Sequence, residues 1–133
     1  MVGLVIATHG NLADEFLSAC ALIIGPPAGA CGLAVGREDA VEDVRARMAA
    51  AIGEVGQDGD GVLIMTDMFG GTPANISLAF LNPGEVEVLT GVNLPMVLKF
   101  FNLPEAMSLA ERASLLKAYG QQGITLASDF LKK

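Results

Sequence analysis

The 133-residue chain holds one histidine, His9, in the stretch "VIATHGN". Imidazole is the side chain best suited to act as base, nucleophile or phosphoryl acceptor near neutral pH. A second stretch rich in reactive groups is "TDMFGGTP", residues 66–73, which carries the carboxylate Asp67. A carboxylate beside a histidine accepts a hydrogen bond from one ring nitrogen. That fixes the tautomer, frees the lone pair of the other nitrogen for attack, and stabilises the positive ring formed on phosphorylation. Gly70 and Gly71 let backbone N–H groups approach an anion at the start of a helix, and Thr66 and Thr72 add hydroxyl donors. Taken singly, each signal is weak. A lone histidine in a turn is commonly structural, Asp67 alone reads as a loop cap, and "GGTP" alone reads as a tight turn before a helix.

Other chemistries lack their motifs. There is no GxxxxGK[ST] for a nucleotide triphosphate and no GxGxxG after the first strand for a dinucleotide. No GxSxG supplies a nucleophilic serine, so Thr8 and Thr72 are the hydroxyls left for a hydrolase reading. Cys20 and Cys31 lack CxxC spacing, and with His9 they are the only N/S candidates, too few for a zinc site; they read as reduced thiols. The expectation is therefore no metal and no cofactor.

What must position His9 and Asp67 is legible from periodicity. "VGLVIAT", 2–8, is a near-continuous apolar run, the pattern of a strand buried on both faces. "NLADEFLSACALIIG" places Leu12, Phe16, Cys20 and Ile23 at helical spacing, with Asn11 as cap and Gly25-Pro26 as stop. "ACGLAV" predicts a second strand. "EDAVEDVRARMAAAIGEV" predicts a helix with a stripe of Val41, Val44, Met48, Ile52 and Val55. "VLIMT" and "EVEVLT" predict strands three and four, separated by a helix that Pro73 opens; Pro95 opens the next. Ser108 and Glu111 have capping-box spacing, on a helix whose face holds Leu109, Ala113 and Leu116. "ITLA", 124–127, predicts a short fifth strand.

Strand–helix alternation gives an α/β class, a three-layer doubly wound sheet of order 2-1-3-4. In that order strands one and three lie side by side, and ligands bind beyond their carboxyl ends at the switch point. Topology alone therefore brings His9 to Asp67.

Composition narrows the partners. The length fits one domain over 1–133, and 52% hydrophobic residues exclude a disordered chain. A net charge of −7 argues against nucleic acid and against anionic membrane surfaces. Residues 16–36 carry no charge, but "GPPAG" breaks them into pieces too short to span a bilayer, and no basic leader precedes them. The expectation is a cytoplasmic protein without membrane insertion.

Three motifs in order, "THG", "TDMFGGTP" and "TGVNLP", within "GLVIATHGNLADEFLSACALIIG", "GVLIMTDMFGGTPANIS" and "EVLTGVNLPMVLKF", make the chain resemble the IIA domain of the mannose-type phosphotransferase system. The likeness runs from Val2 to about Ala127. It implies that His9 accepts a phosphoryl group from the phosphocarrier HPr as a tele-phosphohistidine and passes it to a IIB component for carbohydrate uptake. It implies that Asp67 orients His9, and that Thr66, Phe69, Gly70, Gly71 and Thr72 bind phosphate; Thr72 replaces the commoner serine and keeps its hydroxyl. Thr8, Gly10, Asn93, Leu94 and Pro95 would line the site, with Gly10 leaving room for a partner's loop. It also implies a homodimer in which "ITLA" is an exchanged antiparallel edge strand, which would close an open sheet edge. Family members often continue into a IIB domain; this sequence ends at Lys133 without one, so the expected acceptor is a separate protein.

Other readings stand beside this one. One is a stand-alone regulatory IIA whose phosphorylation state is the signal. Another is the related dihydroxyacetone-kinase phosphodonor, which usually carries further domains. A third is a receiver-like domain phosphorylated on Asp67 with Mg²⁺, though Thr8-His9 stands where acids would be wanted. The last is a non-catalytic binding module that keeps the fold.

Overall fold

The structure, a computed structural model, describes residues 1–132. Four parallel strands form one sheet in the order β2-β1-β3-β4, with β1 at Gly3–His9, β2 at Ala30–Val35, β3 at Val62–Thr66 and β4 at Val86–Thr90. This is the predicted order. β1 and β3 are the central strands, and every residue of β3 is buried.

Strand alternation sends successive side chains to opposite faces. Leu4 and Ile6 of β1, with Leu63 and Met65 of β3, face a core covered by α1 (Leu12–Ile24), α4 (Leu94–Phe100) and α5 (Leu109–Gln122). Val5 and Ala7, with Val62 and Ile64, face a second core covered by α2 (Val41–Val55) and α3 (Thr72–Ala79). The chain changes faces between α1 and α2, which makes the β1/β3 boundary the switch point. By the same parity Thr8 turns toward α1 and His9 toward α3.

Two helix stripes differ from expectation. In α1 the buried residues are Ala13 and Cys20, with Phe16 and Leu17 packed beside them, while Leu12 is 45% and Ile23 58% exposed. The helix is rotated so that Ala13 meets Gly32 of β2, where a side chain on residue 32 would strike Ala13 and Asp14. Small residues at both positions permit this close approach. In α2 the stripe is Val44, Met48 and Ala51; Val41, in the first turn, lies outside it and is exposed.

The caps are partly those expected. Asn11 occupies the cap position of α1 but its side chain makes no cap bond; Thr8 Oγ1 accepts the Ala13 N–H instead, at 2.8 Å. Asn93 caps α4 by accepting the Met96 N–H, and it also donates to the Gly120 carbonyl of α5. Ser108 and Glu111 form the reciprocal capping box of α5.

The fifth strand over 124–127 is not formed, and the sheet is parallel throughout. Residues 124–126 are irregular, and a short helix, α6 (Ala127–Phe130), follows, with the Asp129 and Phe130 N–H groups both donating to Leu126 O. A strand needs a ladder to satisfy its backbone. Among the described residues no strand pairs with this segment, and it folds back on its own carbonyls.

Candidate functional site

His9 is the last residue of β1, and its ring stands beyond the carboxyl edge of the sheet with the side chain half exposed, at 51%. Asp67, the first residue after β3, has a largely buried side chain, 15% exposed. The register Ala7↔Thr66 sets the two loops side by side. Asp67 Oδ2 accepts the His9 backbone N–H at 3.0 Å and lies 2.8 Å from the ring Nδ1; Oδ1 accepts the Met68 N–H at 3.0 Å. Burial pushes the Asp67 carboxyl up, but the bonds from His9 outweigh it and hold the group below its ordinary value. The lowered carboxyl favours the acceptor-only carboxylate, which pairs with a proton on Nδ1 and leaves Nε2 as the uncommitted ring nitrogen.

Nε2 faces the glycine turn. Gly71, at φ +83°, is the N-cap of α3, and a Cβ placed there would lie 3.1 Å from His9 Cε1 and 3.2 Å from Nε2. Only a residue without a side chain leaves space above Nε2 while adopting this backbone. The α3 ladder begins when Asn75 N–H donates to Gly71 O at 3.0 Å. The amides of Thr72 and Ala74 precede that bond, and Pro73 has none, so this helix start has free donors and a positive dipole end.

The remaining residues expected at the site fall into two groups. Gly70, Gly71 and Phe69 form the turn beside His9, with Phe69 76% exposed, and Thr72 lines one cleft together with His9 and Gly10. Thr66 is fully buried, and its hydroxyl lies 3.4 Å from the Met68 carbonyl that accepts from it, so it braces the loop rather than facing the cleft. Thr8 is buried and committed to the α1 cap. Asn93, Leu94 and Pro95 start α4; the Gly91 and Val92 N–H groups bind Thr66 O at 3.0 Å, which ties their loop to the end of β3. Their polar atoms serve the helix cap, outside the cleft that His9 lines.

Sequence reasoning missed one wall of that cleft. Val35, Gly36, Arg37 and Asp39, at the exit of β2, line it together with Thr72, and its volume is about 340 Å³. The signal was available in the topology, since β2 flanks β1 as β3 does.

For the receiver-like alternative the donor set is wrong. Among the described residues no three His, Cys, Asp or Glu side chains converge as metal ligands, and Asp67 is engaged by three N–H donors rather than presented to an attacking group. No helix among the described residues is long and apolar enough to cross a membrane.

Comparison with known proteins gives the family and the fold. A family model described as PTS system fructose IIA component matches residues 3–116. The chain is 25% identical over 134 residues to the PTS system fructose-specific EIIA component of Bacillus subtilis (strain 168), covering 100% of this chain and 91% of that one. A crystal structure of phosphotransferase system component EIIA from Streptococcus agalactiae superposes with a TM-score of 0.87 at 26% identity, covering 97% of this chain and 99% of the other. The mannose/sorbose specific IIA subunit from Enterococcus faecalis superposes with a TM-score of 0.82 at 27% identity, covering 94% and 93%. With the family match spanning most of the chain, the protein belongs to the mannose-type IIA family of phosphotransferase-system components.

Proposed function

We propose that this protein is a phosphohistidine carrier that accepts a phosphoryl group from HPr on His9 Nε2 and passes it to a separate IIB component serving carbohydrate uptake. Residues 1–133 are read as one such domain. The observation that carries the proposal is the 2.8 Å contact between Asp67 and His9 Nδ1, which leaves Nε2 as the nucleophile under the Gly71 turn.

The chemistry balances without a metal or a net proton transfer. The Nε2 lone pair attacks phosphorus in line, and the P–N bond to the donor's imidazole breaks. The donor ring recovers its lone pair and neutrality. His9 becomes a positive ring bearing the phosphoryl group, and Asp67, bonded to Nδ1–H, stabilises that charge. Amides at the start of α3 and the Thr72 hydroxyl supply donors for the phosphoryl oxygens. Transfer onward reverses these roles.

A dimer belongs to the same reading. Ile124 and Leu126 are exposed apolar residues, and Ile124 lines a groove of about 290 Å³ against Val88, Leu89 and Thr90 of the edge strand β4. Addition of a second copy's 124–127 segment as an antiparallel strand would cover both.

Incubation with phosphoenolpyruvate, the system's first enzyme and HPr should label the protein. The linkage should survive base and fail in acid, as a phosphoramidate does. Label retained by His9→Ala would overturn the assignment.

A further inference from the structure

The exit of β2 is the part of the cleft that the transfer chemistry leaves unused. His9 and Val35 are register partners, and Gly10 N–H donates to Val35 O at 2.9 Å. The chain leaving β2 therefore passes beside the His9–Gly10 turn, and Arg37 lines the same cleft as His9 and Thr72. The charges around that cleft are unequally committed. Asp39 Oδ2 accepts the Gly36 N–H at 2.7 Å and Arg47 Nη2 at 3.1 Å, while Arg47 Nη1 donates to Ala34 O at 2.9 Å. Arg47 thus neutralises Asp39. Asp67 is occupied by three N–H groups. Arg37 is exposed and enters no ion pair among the described residues. In a chain with eight Lys and Arg against fifteen acids, it is the cation of this cleft that no carboxylate has claimed.

We propose that Arg37 is a phosphoryl-holding residue, its guanidinium closing on the oxygens of phosphorylated His9 Nε2; the inference rests on the phosphocarrier reading. A phosphoryl group on Nε2 carries nearly two negative charges on three oxygens. The α3 side of the cleft answers them with amide dipoles and a hydroxyl, but with no full charge. A guanidinium supplies that charge in a planar fork matched to two phosphoryl oxygens. It makes or breaks no covalent bond and exchanges no proton. Its effect is to stabilise phosphorylated His9 relative to the phosphorylated donor and to shield phosphorus from water. Because Arg37 is free in the unmodified protein, this stabilisation appears only after transfer.

The test compares wild type with Arg37→Gln and Arg37→Lys, each phosphorylated by potassium phosphoramidate, which needs no partner protein. The half-life of phosphorylated His9 is read by ³¹P NMR, and its equilibrium partition against phosphorylated HPr by gel. Arg37→Gln should shorten the half-life and lower the partition ratio, roughly tenfold for the loss of one hydrogen bond to a charged group. Arg37→Lys should recover part of both. Unchanged half-life and partition in Arg37→Gln would overturn the proposal. So would slower transfer from HPr with half-life and partition intact, which would make Arg37 a docking contact. Wild type that takes label from neither donor would instead fail the carrier reading, and Arg37 with it. Thermal melts should coincide for all three proteins.

Discussion

Asp67 spends three lone-pair directions on one purpose. Two of its bonds go to His9, one to the backbone and one to the ring, so position and tautomer are set by the same carboxylate. Asp67→Asn keeps the shape but makes the amide as ready to donate to Nδ1 as to accept from it. The expected outcome is a folded protein whose phosphoryl transfer slows by about 100-fold or more, measured by rapid quench. The pH dependence follows from the direction of the shift. Because the fold lowers the Asp67 carboxyl from its ordinary value of 3.8, its stabilisation is present above that pH and is lost as pH falls through the lowered value. Acid unfolding of Asp67→Asn, followed by circular dichroism, should lack this component. Gly71→Ala would place a methyl group 3.2 Å from Nε2 in a backbone region that disfavours side chains. It should abolish labelling and cost about 1–3 kcal/mol in urea unfolding. If labelling survives at the wild-type rate, the space above Nε2 is not where the phosphoryl group sits.

The helices separate what pattern can show from what it cannot. Strand three is observed at the residues predicted, because a short apolar run between turn signals has one way to be buried. In α1, Phe16 and Cys20 of the predicted stripe pack on the core while Leu12 and Ile23 do not, because periodicity fixes a spacing but not which of two adjacent apolar rows turns inward. The choice was made by the close fit of Ala13 on Gly32, a contact between distant residues. The fate of hydroxyls is equally hidden. Thr8 and Thr66 look like site residues in sequence, yet one caps α1 and the other braces a loop. Thr8→Val, nearly isosteric, strands the Ala13 N–H. It should cost about 1–2 kcal/mol in chemical denaturation while His9 remains phosphorylatable. A loss of labelling larger than the loss of stability would return Thr8 to the site.

For the whole molecule, sheet order was the informative quantity. Strand order alone sets His9 beside Asp67, and the same order sets the exit of β2, with Arg37, on the other flank of β1. What it did not reveal was the state of residues 124–127, which no strand of the four-stranded sheet pairs with and which run irregularly into a short helix. On the dimer reading, Ile124→Asp with Leu126→Asp should convert a dimer to a monomer by light scattering. The four-stranded core should keep its circular dichroism signature. A wild-type protein already monomeric at high concentration would remove strand exchange from the account.

His9 offers one nitrogen, Nε2, because Nδ1 is held by Asp67. On the carrier reading, donor and acceptor must therefore use the same doorway in turn, never together. Turnover then follows ping-pong kinetics without a ternary complex, and each partner inhibits the other by occupancy. Unphosphorylated HPr in excess would block delivery as effectively as a missing acceptor, so the ratio of spent to charged donor meters the flow.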